Sequence, residues 1–199
     1  MNFKLRLLLI VLLSLLLPAC MVGSPSKPLA SIQITPPEQN RIRFTGKGAG
    51  AGMMLMSSMG PMGMAVGVAI DEGIAKDIHE TAVAEGVDFV EILTANLQQG
   101  LQASDDHKIS SIEIKIERYG FKTIPGENDP CVVDVELTYS INGGEWRAFA
   151  SSKEHSDESK DAQQQAPLEQ LKTDGETTRH LFRQLSNRLT KMIKSSHLQ

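Results

Sequence analysis

Two cysteines and a small group of titratable residues are the side chains of this 199-residue chain that could do chemistry. Cys20 ends a strongly apolar run, and Cys131 is the only other cysteine. Asp105, His107 and Glu113 are acid and base residues that an enzyme could use if they converged in a pocket. Known catalytic motifs, phosphate loops and paired-cysteine metal sites do not occur, and the five histidines lack metal-ligand spacing. The sequence therefore predicts no catalytic residues, no metal and no cofactor.

The N-terminus has the layout of a secretory signal. Lys4 and Arg6 are followed by the eleven residues 7–17, which are aliphatic except for one serine. Eleven helical residues rise only about 16 Å, roughly half of a hydrocarbon core, so a permanent transmembrane helix is the poorer interpretation. We expect residues 1–19 to be removed as a signal peptide.

The end of that signal, Leu17-Pro18-Ala19-Cys20, resembles the lipobox of bacterial lipoproteins. In those proteins a small residue precedes a cysteine that is diacylated, freed by signal peptidase II and then N-acylated. The resemblance implies that Cys20 carries a lipid anchor and that residues 20–29 form a tether. Met21, rather than Asp, follows the cysteine, which in lipoprotein sorting favours the outer membrane, with the folded part facing the periplasm. The alternative is an ordinary signal peptide with an incidental cysteine.

Composition limits the remaining classes of protein. Removing residues 1–19 leaves 180 residues, enough for one domain and a tether, and takes the formal net charge from −4 to −6. This acidic balance argues against a nucleic-acid partner, which would require a basic surface. If Cys20 is lipidated, Cys131 has no partner within the chain and is expected as a small buried residue at a strand start.

The segment 46–70 is rich in glycine and methionine. Residues 49–70 contain no charge, six methionines and five glycines, with GxxxG spacing at Gly63 and Gly67. Three interpretations compete: a glycine-zipper-like hairpin or helix that contacts or enters a bilayer, a mobile loop whose methionines adapt to a partner, and a buried core helix. The candidate membrane or partner contacts are Met53, Met54, Met56, Met59, Met62, Met64, Gly63 and Gly67.

Hydrophobic periodicity predicts an α+β fold over residues 30–195. Alternating residues indicate a three-strand antiparallel meander over 110–151 and an N-terminal strand, while two amphipathic helices, one restarting near Gly86 and one after Thr173, should pack on one face of this small sheet. The Gly/Met-rich segment precedes the first helix. Residues 152–172 have the composition of an exposed polar linker.

In element order the chain resembles the small domains of envelope-assembly lipoproteins, such as the lipopolysaccharide-assembly lipoprotein and transporter auxiliary lipoproteins. The resemblance covers residues 30–195 and carries over no individual residue. It implies a non-catalytic outer-membrane lipoprotein that binds or stabilises another envelope component. The alternatives are a membrane-active protein that inserts its glycine-zipper-like segment into a bilayer, and a periplasmic enzyme. The sequence is also compatible with a homo-oligomer.

Overall fold

A computed structural model describes residues 30–102, 109–124, 127–151 and 165–197. The predicted signal peptide, Cys20 and the tether lie outside the described residues, as do Asp105 and His107. The predictions made for them therefore stay predictions.

A mixed sheet of six strands forms the centre of the fold. The strands are β1 (Ser31–Thr35), β2 (Arg43–Thr45), β3 (Ser111–Thr123), β4 (Pro130–Ile141), β5 (Arg147–Ala150) and β6 (Ala166–Pro167). Strands β3, β4 and β5 form the antiparallel meander that the alternating residues predict. Ile112, Ile114 and Ile116 of β3 are almost fully buried, because their shared side of the strand faces the core.

The observed sheet has more strands than predicted, and its strand pairings are both parallel and antiparallel, whereas an antiparallel sheet was predicted. Strands β1 and β2 both pair with β3 in parallel, with Ser31 opposite Ser111 and Phe44 opposite Phe121, so they share one edge at opposite ends of β3. Parallel strands need a long crossover connection. The chain from β2 to β3 supplies one, because it passes through three helices before it returns to the sheet.

The described residues contain five helices, where two amphipathic helices were predicted. They are α1 (Lys47–Met59), α2 (Pro61–Ala84), α3 (Phe89–Gln102), α4 (Leu168–Thr173) and α5 (Gly175–His197). The predicted break at Gly86 separates α2 from α3, and its positive φ of 65° explains why glycine stands there. The Glu91 N–H donates to Asp88 Oδ1 at 3.0 Å, so Asp88 caps the N-terminus of α3.

An aromatic cluster joins α3 and α5 to one face of the sheet. The ring of Phe182 in α5 lies 4.9 Å from Phe89, 5.3 Å from Phe121 and 5.9 Å from Tyr119, between ring centroids. Tyr119 and Phe121 are two residues apart on β3, so their side chains lie on the same face of the sheet. Both predicted amphipathic helices therefore contribute aromatic residues to this face.

The polar linker predicted over residues 152–172 is shorter than expected. Residues 152–164 lie outside the described part, but Ala166 belongs to β6, and Leu168 and Leu171 of α4 are buried. The two leucines are three residues apart, so they share one face of a short helix. That face packs into the core. The surrounding residues are mostly polar, so composition alone indicates a linker here.

Candidate functional site

Helices α1 and α2 form an antiparallel hairpin from the Gly/Met-rich segment. The turn is Gly60, whose φ of 60° suits glycine, followed by Pro61 at the first position of α2. Proline is favoured there because that position has no helical hydrogen bond for an N–H to make. Pro61 therefore starts the second helix of the pair.

Glycines hold the two helices of the hairpin together. Over residues 48–70 the only buried residues are Gly48, Gly52, Gly63 and Gly67. A Cβ atom added at Gly67 would overlap the carbonyl oxygen of Gly48, and one added at Gly63 would lie 2.5 Å from the backbone of Leu55 and Met56. The helices thus touch backbone to backbone, in the manner of small-residue helix pairs in membranes.

Asp71 of α2 fastens the base of the hairpin. Its Oδ1 accepts a hydrogen bond from the Gly48 N–H at 2.7 Å, and its Oδ2 accepts one from the Gly46 N–H at 3.2 Å. These are unpaired donors at the N-terminus of α1, where a carboxylate also meets the positive end of the helix dipole. This cap has no local sequence signal, because Asp71 lies more than 20 residues from the groups it binds.

The methionines of the hairpin point into solvent. Met54 is 81 % exposed and Met53 72 %, and every other candidate methionine is also exposed, as are Val68 and Ile70 further along α2. The remaining candidates are Met56, Met59, Met62 and Met64. The hairpin is therefore an apolar surface with almost no side-chain core of its own.

These positions decide between the three interpretations of the segment as far as its shape is concerned. The buried core helix is wrong, because the large side chains are exposed. The mobile loop is wrong as to shape, because residues 47–59 and 61–84 are helical. The glycine-zipper-like hairpin is the observed geometry, and what it contacts stays a prediction. Within the described residues no helix has the length and apolar character needed to cross a membrane.

Of the three acid and base candidates, only Glu113 lies in the described part of the chain. Glu113 is exposed on β3, and in the described ranges no three His, Cys, Asp or Glu residues come together as metal ligands. A groove of about 420 Å³ lies beside the base of the hairpin, where the Arg41 guanidinium is 3.1 Å from Glu72 Oε1. Both partners are about half exposed, so this ion pair belongs to the surface.

Two buried groups have strongly raised pKa values. Burial raises the pKa of the Cys131 thiol to about 11, and burial also raises the pKa of Tyr119 to about 12. Cys131 is a free, buried cysteine near the start of β4, as predicted. A thiol that stays protonated is a poor nucleophile, so Cys131 is a packing residue.

Comparison with protein-family models, with curated proteins and with solved structures gives no match to this chain. The functional interpretation therefore depends on the chain's own residues and geometry.

Proposed function

We propose that this protein is a non-catalytic lipoprotein of the bacterial outer membrane, anchored through Cys20 and facing the periplasm. The hairpin of α1 and α2 is the surface with which it binds or stabilises another component of the envelope. The observation that carries the proposal is the contrast between six exposed methionines on the hairpin and the closely packed core beside it. Large exposed apolar patches on folded proteins commonly mark interaction sites.

Methionine suits a contact surface of this kind. Its side chain is unbranched and polarizable, so it adapts to irregular apolar partners, and Met-rich surfaces recur in proteins that bind several partners. The hairpin carries no charge from Gly48 to Ile70, so burying it requires no desolvation of an ionised group.

The anchor is tested by intact mass and membrane fractionation of the expressed chain, with Cys20→Ser as the matched variant. We expect the wild type to lose residues 1–19, to gain acyl mass and to sediment with the outer membrane, whereas the variant does none of these. If both proteins are unprocessed or soluble, the lipoprotein assignment is wrong.

The contact surface is tested by replacing two exposed methionines with glutamate, Met54→Glu with Met62→Glu. Val83→Glu is the matched control, because Val83 is 58 % exposed and lies on α2 beyond the uncharged residues 48–70. We expect the double variant to lose the envelope components, protein or lipid, that co-purify with the wild type in mild detergent, and the control to keep them. If the double variant retains every bound component, the hairpin is not the contact surface.

A further inference from the structure

The arrangement of exposed side chains on the hairpin indicates the chemistry of its partner. Successive residues of a helix point about 100° apart, so Met53 and Met54 face different sides of α1. By the same geometry Met62 and Met64 are about 200° apart and lie on opposite sides of α2. All four are exposed. A groove on a protein would cover one side of the hairpin, whereas a helical element that is apolar all round is typical of surroundings that are apolar all round.

Several polar groups near the turn of the hairpin are paired within it. The Ser57 hydroxyl donates to the carbonyl oxygen of Met54 at 2.8 Å, and the Ser58 hydroxyl donates to that of Leu55 at 3.2 Å. The Gly60 N–H donates to the Met56 carbonyl oxygen at 3.0 Å. In hydrocarbon each unpaired polar group costs several kcal/mol, so these internal hydrogen bonds remove part of the cost of leaving water.

The glycine contacts between the helices suit the same surroundings. In water a pair of helices is stabilised mainly by burying apolar side chains, and this hairpin buries only glycines over residues 48–70. In a bilayer, helices associate through close backbone packing of small residues, because lipid supplies no hydrophobic drive between them. The contact of Gly48 with Gly67 is of that kind.

The nearest charged residues limit how deeply the uncharged stretch could enter a bilayer. Lys47 precedes the uncharged stretch, and Asp71 and Glu72 follow it, so all three lie at the base of the hairpin. Residues 61–70 of α2 rise about 15 Å. One leaflet of a bilayer has about the same depth of hydrocarbon, since the full core is about 30 Å thick.

We propose that the hairpin of α1 and α2 inserts into a single leaflet of a lipid bilayer, with its turn near the bilayer midplane and Lys47 and Asp71 at the headgroup level. This inference rests on the proposed function for the anchor and takes up the alternative for the hairpin, since it names the acyl chains of the membrane as what the methionines contact. The glycine contacts keep the two helices together in the leaflet.

Tryptophan fluorescence tests the insertion directly, because the chain contains a single tryptophan, Trp146. Trp146→Phe combined with Met59→Trp places the only indole beside the turn, and Trp146→Phe with Val68→Trp places it near the base. The full lipidated chain is reconstituted into vesicles of phosphatidylethanolamine and phosphatidylglycerol whose acyl chains carry bromine at a known depth. Trp146→Phe with Val83→Trp is the matched control on the same helix, beyond the charged residues.

We expect blue-shifted emission from Trp at position 59, quenched most strongly by bromine deep in the chains, and quenching by shallow bromine at position 68. Trp at position 83 should stay unquenched. Adding Met54→Glu and Met62→Glu to the position-59 reporter should abolish its shift. Water-like, unquenched emission from position 59 on vesicle-bound protein would overturn the proposal. A blue shift without lipid that grows with protein concentration would also overturn it, by assigning the hairpin to a second copy of the chain.

The same preparation separates this inference from the proposed function. If the mass shows no acyl chain but position 59 is still quenched, the lipoprotein assignment fails and insertion stands. If the protein is acylated and vesicle-bound but position 59 is unquenched, the anchor stands and insertion fails.

Discussion

Two pairs of helices in this protein use opposite means of packing. Helices α3 and α5 bury phenylalanine and leucine against the sheet, and Leu93, Leu97 and Phe182 have no exposed surface. Helix α1 and the first part of α2 bury glycine and expose methionine. Apolar residues therefore stabilise the fold in the first pair, whereas in the second pair they are left available for contact. The difference separates the part of the chain that folds the domain from the part that the proposed function uses.

The largest expected effect lies in the core. Phe182→Ala removes the ring that contacts Phe89, Tyr119 and Phe121, and truncation of a fully buried phenylalanine costs about 3–5 kcal/mol. The measurement is the free energy of unfolding in urea. The exposed methionine variant Met53→Ala is the control and should change this free energy by less than about 0.5 kcal/mol. Similar losses from both variants would remove the distinction between the two helix pairs.

A pH dependence should also come from the core. Cys131 has an ordinary pKa of 9.0 and about 11 in the folded protein, so between these values the unfolded chain loses the thiol proton while the folded chain keeps it. The contribution is fully present below pH 9 and is lost as pH rises to about 11, by about 2–3 kcal/mol. Urea unfolding from pH 8 to 11 measures the loss, and Cys131→Ala should show a smaller one. Equal pH profiles for the two proteins would contradict the burial of this thiol.

The hairpin should respond to the added size of a single methyl group. Gly67→Ala places a Cβ against the backbone of Gly48, and overpacking of this kind costs about 1–3 kcal/mol. Hydrogen exchange should show faster opening over residues 47–70 with little change in α3 and α5, since local stabilities differ within a protein. Gly50→Ala is the control, because the added Cβ would meet no atom of the second helix within 4 Å, and it should slow exchange through its better helix propensity. Equal effects at both glycines would mean that the helices do not touch.

The smallest effect is expected at the base of the hairpin. Asp71→Ala removes the carboxylate that accepts from the Gly46 and Gly48 N–H groups, and the loss of a helix cap costs about 1 kcal/mol. Exchange of the first amides of α1 should accelerate, whereas Asp77→Ala, which removes an exposed carboxylate on the same helix, should leave them unchanged. Protection of those amides in the Asp71 variant equal to that of the wild type would show that the cap does not hold the hairpin.

Local sequence patterns predict the core well and the hairpin poorly. The alternation of Ile112, Ile114 and Ile116 identifies both the strand and its buried side, because a strand repeats every two residues. The four-residue spacing of Leu93 and Leu97 identifies the buried face of α3 in the same way. These patterns are informative because each of these large apolar side chains is itself buried in the core.

The features that could not be predicted depend on residues far apart in the chain. The equal four-residue spacings of Gly48 with Gly52 and of Gly63 with Gly67, on either side of Gly60, are a signal for an antiparallel pair. Glycine has a low helix propensity, however, so local preference argued against helices there. The parallel pairing of β1 and β2 with β3 depends on the crossover through the helices, and the sequences of the strands alone do not indicate it.

The register of β3 has a consequence for how the molecule would stand on a membrane. Ser31, the first residue of β1, lies opposite Ser111, whereas Thr45, just before the hairpin, lies opposite Lys122. Eleven strand residues separate the two levels by about 36 Å. A lipidated N-terminus and an inserted hairpin would therefore be two separate attachment points, one near each end of the longest strand. Two such points would limit how far the domain can tilt on its tether.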